Sequence, residues 1–302
     1  MDEPKRLLGV MRVPFLILAP ACALVGVGTA AWTGATINAL HLILALVGAT
    51  TAHISVNVLN EYFDFESGLD MKTRRTPFSG GSGTLPENPE MARSALNLGL
   101  LAAAITALIG VYFLFVWGLE LLPLGILGLV VILSYTKWIT RNALICLIAP
   151  GLGFGTFMVM GTDFVLSGSY TWAAFIASLV PFFLVNDLLL LNQLPDAEAD
   201  ETVGRRHLPI VAGKRTSSIV YVVFLLAAYL SIVVGVVLRV LPAASLLGLI
   251  TLIIAVPLAI GAYRYAEDMD QLMPFLARNV LVNIATPILL AVGLLVAAWV
   301  GG

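Results

Sequence analysis

The chain has 302 residues, 60% of them hydrophobic and only 11% charged, with a formal net charge of -2 at pH 7. A soluble globular chain is about 25% charged, and no soluble fold hides this much apolar surface, so lipid is the solvent for most of the chain. A near-neutral balance also excludes a nucleic-acid partner, because a phosphate backbone requires clustered basic charge in excess of the acids.

Lys5 and Arg6 precede an apolar run through Ala21-Cys22, superficially like a secretory leader. The run continues past residue 22, which predicts an uncleaved first membrane helix. Apolar stretches of about 20 residues, enough for a helix to cross roughly 30 Å of hydrocarbon, lie near 9–30, 37–60, 93–117, 120–138, 143–165, 171–194, 216–238, 243–263 and 279–300. The expectation is an all-α polytopic membrane protein of nine transmembrane helices, a single domain over residues 1–302.

Of the 16 Lys and Arg residues only Arg239 falls in an odd-numbered loop. The positive-inside rule then predicts a cell-membrane protein with the amino terminus and even-numbered loops in the cytoplasm and the carboxyl terminus outside. Cys22 and Cys146 sit far apart in apolar runs, a spacing that suits packing and neither a disulfide framework nor a zinc site. No segment marks an obligate protein partner.

Two polar loops, about 61–92 after helix 2 and about 195–215 after helix 6, stand out. Approaching the first, Asn57, Asn60 and Asp64 fall at i, i+3 and i+7 and share one helix face; approaching the second, Asn192, Asp196 and Asp200 are spaced by four and do the same. Asn60 and Asn192 close helices four crossings apart, so both motifs end at the same depth. This predicts a parallel four-helix internal repeat whose acidic ends face each other across a central cavity.

Converging amide and carboxylate oxygens suit a hard cation such as Mg²⁺, which takes one or two carboxylates and fills its octahedron with water and substrate phosphate oxygens. Carboxylates alone repel a diphosphate; a bridging metal reverses the sign, and nearby cations complete the neutralisation. Lys72, Arg74 and Arg75 follow the first motif, and Arg205 and Arg206 follow the second. Together they describe a diphosphate site.

Other polar positions carry two readings. Glu61, Glu66, Glu198 and Glu201 fit solvated loop charges better than site residues. Ser79 to Gly83 either wraps phosphates through backbone N–H groups or is a flexible linker. Arg12, Tyr135, Lys137 and Arg141 either anchor helix ends or meet the substrate. Gly151, Gly153, Gly155 and Gly161 read as helix-packing positions, and His53 as a packed histidine. Asp187 is polar inside helix 6, but its register points it away from Asp196, as a helix partner.

The paired motifs, nine helices and the two loops resemble the UbiA superfamily of intramembrane prenyltransferases over nearly the whole chain. Asn60-x-x-x-Asp64-x-x-x-Gly68-x-Asp70 is most similar to the branch that makes menaquinone-type naphthoquinones. Two positions depart from the commoner pattern: Glu61 stands where an aspartate often follows the asparagine, and Gly68 where the second aspartate is usual, with Asp70 as its substitute. The resemblance implies that Asn60, Asp64, Asp70, Asn192, Asp196 and Asp200 hold Mg²⁺ on the diphosphate of an isoprenyl donor. It also implies that a tyrosine and basic residues, here Tyr135, Lys137 and Arg141, lie near that donor. Ionisation of the allylic C–O bond would be followed by capture of the cation by a hydrophobic aromatic acceptor, dihydroxynaphthoate-like, with water kept out by apolar walls. A glyceryl phosphate lipid is the alternative acceptor. The rival of another class is an ion-coupled secondary transporter, which would place its charge nearer the bilayer centre.

Overall fold

A computed structural model describes residues 3–301, with side chains from Arg6 onward, so the side chain of Lys5 lies outside the described residues. Among these residues every regular element is a helix. Eight helices are long and apolar enough to cross a membrane, and a shorter apolar one lies between the third and fourth. In chain order they are α1 Val13–Trp32, α2 Ala39–Glu66, α3 Pro89–Trp117, α4 Leu119–Ser134, α5 Ala143–Ser167, α6 Trp172–Glu201, α7 Leu208–Val237, α8 Ala243–Arg264 and α9 Met269–Gly301. The chain is a multi-pass helical membrane protein.

Side-chain caps set several starts: Asn38 accepts from the N–H groups of Leu40 and His41, Asn142 from Leu144 and Ile145, and Thr171 from Ala174. Such caps satisfy amide donors that have no partner inside the helix. In α5, Pro150 removes a donor, and the helix widens into a π-turn at Leu152–Phe157. The freed Gly151 N–H donates to Asn186 Oδ1 on α6 at 2.6 Å, the local repair that proline in a membrane helix requires.

Several helix ends differ from the sequence expectation. α2 continues to Glu66 and α6 to Glu201, past Pro195, so Asp64, Asp196 and Asp200 sit on helices. A proline is a stop signal in sequence, but inside a bundle neighbouring groups tolerate it. α7 begins at Leu208 and bends at Gly213, whose φ is 82°, which shortens the second loop to a turn. α9 begins at Met269, through Pro274. α4 is shorter than expected and ends at Ser134.

α6 is central, packing against α1, α5, α7 and α9, while α2 packs against α1, α3, α4 and α5. Each motif helix packs on its successor, α2 on α3 and α6 on α7. Polar contacts gather the even-numbered connections at one end: Arg6 pairs with Glu90 at 3.2 Å, Lys72 Nζ donates to Thr202 at 3.3 Å, and Arg74 meets Asp270 at 3.7 Å. That end carries the motifs.

Candidate active site

The last turns of α2 and α6 face each other there and line a polar cavity of about 100 Å³. Asn60, Asp64 and Asp70 border it from one side, Asn192, Asp196 and Asp200 from the other, with Arg12, Tyr135, Arg205 and His207 between. A larger, mainly apolar cavity of about 430 Å³ runs from this neck between α1 to α6. Arg12, Asn60, Tyr135, Leu189 and Asn192 line both, so the two are continuous.

One cation joins the motifs. Arg205 donates from Nη2 to Asp64 Oδ1 and from Nη1 to Asp200 Oδ1, the latter at 2.9 Å. Its side chain is 15% exposed, so the pairing takes place largely out of water, where Coulomb attraction is weakly screened. The other oxygen of Asp200 meets His207 Nε2 at 2.8 Å, and His207 is buried.

The segment after α2 folds back over the mouth. Gly80 N–H donates to Asp196 Oδ2 at 3.2 Å. Ser82 donates its N–H and hydroxyl to the Glu61 carboxylate, at 2.8 and 2.7 Å. Gly81 takes φ 71°, and a Cβ there would fall 2.9 Å from Asp70 Oδ1; the left-handed conformation and the close approach both demand glycine. Glu61 is therefore no solvated charge, being only 2% exposed, whereas Glu198 and Glu201 are exposed and Glu66 stays half open beside Lys137. The glycine-rich segment is neither open linker nor bystander. Its backbone holds carboxylates, which composition alone did not show.

The other expected basic residues lie away from the cavity lining. Lys72 reaches Thr202 on the second loop, Arg74 is exposed beside Asp270, and Arg75 pairs with Glu87 at 2.7 Å. Lys137 lies over the Phe63 ring at 4.2 Å, and Arg141 is exposed. Arg12 remains at the neck, in a left-handed conformation with φ 53°, donating to the Phe78 carbonyl at 3.3 Å. His207 escaped the sequence reading; the available signal was its place two residues after Arg205 in a polar turn.

Asp70 has its carboxyl pushed up to about 7, first by burial and then by the negative neighbours Glu61 and Asp64, against the pull of Arg205 and Arg75. Three buried oxygens at the site, Asp70 Oδ2, Asn192 Oδ1 and Asp196 Oδ1, accept no hydrogen bond from the protein. Buried acceptors are normally satisfied, so these are positioned for a cationic partner. No three His, Cys, Asp or Glu side chains among the described residues form a closed metal cage. One or two carboxylates with an amide oxygen are nonetheless what Mg²⁺ uses when substrate phosphate and water complete its shell.

A helical membrane bundle with facing acidic motifs at the neck of an apolar cavity belongs to the class of intramembrane enzymes that work on lipid-like substrates. The model of the UbiA prenyltransferase family matches residues 19–280. The chain belongs to that family and is a membrane prenyltransferase. It is 26% identical over 303 residues to the 1,4-dihydroxy-2-naphthoate octaprenyltransferase of Escherichia coli (strain K12), covering 96% of this chain and 94% of that protein. The protein of the same name from Bacillus subtilis (strain 168) is 24% identical over 199 residues, 65% of this chain and 63% of that relative; this match spans under two thirds of the relative's length. Among solved structures, the apo UbiA homolog from Aeropyrum pernix K1 superposes with a TM-score of 0.70 at 17% identity, covering 93% of this chain and 97% of that one. A UbiA homolog from Archaeoglobus fulgidus bound to DMAPP and Mg²⁺ gives 0.55 at 15% identity, covering 95% and 99%. At such identities these likenesses concern the fold.

Proposed function

We propose that this protein transfers a polyprenyl group from an isoprenyl diphosphate to a dihydroxynaphthoate-like aromatic acceptor, with Mg²⁺ as cofactor and the site on the cytoplasmic face of the cell membrane. The observation that carries the reading is the neck itself. Arg205 bridges the two motif helices, unpartnered oxygens of Asp70, Asn192 and Asp196 lie beside it, and an apolar cavity opens directly below. The names of the bacterial relatives support the acceptor class, and the bound DMAPP and Mg²⁺ of the archaeal homolog support donor and metal. The acidic cluster at one bundle end separates this reading from a transporter.

Asn60, Asp64, Asp70, Asn192, Asp196 and Asp200 are the residues that would hold the metal. When bound, Mg²⁺ supplies the positive charge that lets a diphosphate approach these carboxylates and leave as a stabilised anion. Arg205 fixes Asp64 and Asp200 at a constant separation, so that little reorganisation is needed as charge moves to the departing oxygen. Arg12, which lines both cavities at their junction, would place a second guanidinium near the same anion. The allylic C–O bond breaks with its electron pair leaving on the diphosphate, a ring carbon of the acceptor captures the allylic cation, and the ring regains its aromaticity by releasing what that carbon carried, as a proton or, from a carboxyl-bearing carbon, as CO2. The Gly80–Ser82 backbone above and apolar helices below exclude water, which would otherwise capture the cation first.

Detergent-solubilised protein should bind an isoprenyl diphosphate only with Mg²⁺ present. Labelled octaprenyl diphosphate, offered with dihydroxynaphthoate, hydroxybenzoate, homogentisate or a glyceryl phosphate lipid, should give product with the first. Metal-independent binding, or turnover that survives both Asp64→Ala and Asp196→Ala, would remove the aspartates from the chemistry.

A further inference from the structure

The cavity face of α2 changes character along its length. Asn60 and Asn57 line the wall at the neck and just below it, His53 follows one turn further down, and beyond it the face is apolar, through Ala49, Gly48 and Ala45. His53 is therefore the last polar side chain on this face. It lies about 10 Å below Asn60 along the axis of a helix that rises roughly 1.5 Å per residue.

The ring is held but not satisfied. Phe154, in the π-turn of α5, meets it edge-on, with centroids 4.6 Å apart and planes at 84°, and the backbone of Leu16 lies beside it. Such π-turns often mark functional positions. His53 is only 4% exposed, yet Nδ1 has no hydrogen-bond partner among the described residues. A neutral imidazole has one donor and one acceptor nitrogen, and a buried polar group left without a partner is costly, above all in a membrane. Packing against Phe154 gives no reason for a nitrogen there.

Only one of the two substrates can use it. Below its diphosphate an isoprenyl chain is hydrocarbon, with nothing to donate. An aromatic acceptor carries ring hydroxyls, which lose their water on entering the cavity and need a new partner. We propose that His53 recognises the acceptor: an imidazole nitrogen accepts a hydrogen bond from one ring hydroxyl, so that the neighbouring ring carbon faces the allylic carbon at the neck. The inference rests on the proposed function. The hydroxyl keeps its proton, so the bond orients the ring and raises electron density at the attacking carbon without changing which atoms are exchanged. The acceptors selected are those with a free hydroxyl beside the carbon that is prenylated, and a methyl ether at that position is rejected, because it leaves the buried nitrogen unpaired.

The test measures KM and kcat for dihydroxynaphthoate and for each of its two mono-methyl ethers, at saturating octaprenyl diphosphate and Mg²⁺, in the wild type, His53→Leu and His53→Gln, together with the donor KM in each. In the wild type one ether should have a kcat/KM about tenfold or more below that of the parent, equivalent to about 1.4 kcal/mol. His53→Leu should raise the acceptor KM by a similar factor, leave the donor KM unchanged and use parent and ether alike. His53→Gln, which keeps an acceptor oxygen, should restore the preference. A wild type that takes both ethers as readily as the parent overturns the proposal even if neither variant folds, and so does a preference that survives in His53→Leu or a donor KM that rises together with the acceptor KM. Wild-type protein that prenylates none of these aromatic acceptors would instead overturn the proposed function, so the two failures are distinguishable.

Discussion

Arg205, in the turn between α6 and α7, donates one guanidinium nitrogen to Asp64 and another to Asp200. Two carboxylates from separate motif helices thus share one largely buried cation. Removing it leaves two buried anions without compensation, which typically costs about 3–5 kcal/mol. Arg205→Ala should therefore lower the thermal midpoint of the detergent-solubilised protein and abolish turnover. Arg205→Lys, a point charge without a planar fork, should fall between. Adding Asp64→Asn to Arg205→Ala should recover part of the lost stability, because the like-charge repulsion goes with it. An unchanged midpoint in Arg205→Ala would show that the bridge holds nothing together.

Asp70 makes a pH-dependent contribution of definite sign. Its folded-state value of about 7 lies above the ordinary carboxylate value of about 3.9, because burial and then Glu61 and Asp64 disfavour the anion. Between these values the folded chain holds a proton that the unfolded chain has released. Linkage then makes the contribution of Asp70 most favourable below about pH 4 and progressively lost as pH rises towards 7. In metal-free protein, Asp70→Asn should flatten the fall in thermal midpoint across that window. The same slope in wild type and variant would mean that Asp70 titrates normally.

The helix period was enough to align Asn60 with Asp64, and Asn192 with Asp196 and Asp200, because side chains three or four apart share a face whatever the tertiary structure. The nonlocal part was out of reach. Gly80 meets Asp196, and Ser82 meets Glu61, only because the segment after α2 folds back across the mouth. That path depends on left-handed turns at Gly80, Gly81 and Gly83, which read equally well as a flexible linker. Lys72, Arg74 and Arg75 illustrate the converse: they adjoin the first motif in sequence, yet the same fold-back carries them to Thr202, Asp270 and Glu87. The apolar run near 171–194 ends before the helix does: α6 continues through Pro195 to Glu201, because neighbouring groups in a bundle tolerate a proline that hydropathy cannot place.

His207 holds the second oxygen of Asp200, with Nε2 at 2.8 Å from Oδ2, while Arg205 holds the first. Partners that orient a metal-binding carboxylate typically contribute about 10–100-fold to metal affinity or activity. His207→Ala should raise the Mg²⁺ concentration needed for half-maximal turnover by about tenfold or more. His207→Gln, which keeps a donor near the same place, should recover most of that loss. If both variants need the wild-type Mg²⁺ concentration, the histidine is only a packed side chain.

Asp187 is the acid whose behaviour should contrast with all of these. It sits on α6, fully buried, with neither carboxylate oxygen hydrogen-bonded, and it does not line either cavity. Its backbone carbonyl accepts from Asn279 on α9 at 3.3 Å, and Asn279 in turn accepts from the hydroxyl of Tyr221 on α7 at 3.1 Å. The contact that ties α6 to its neighbours therefore runs through the main chain and survives a change of side chain. An isolated buried carboxylate is unfavourable, and asparagine has nearly the same shape without a charge to desolvate. Asp187→Asn should keep wild-type turnover and an equal or higher thermal midpoint, whereas Asp64→Asn should lose turnover. A loss of turnover in Asp187→Asn with the fold intact would assign this acid a part in the reaction despite its distance from the neck.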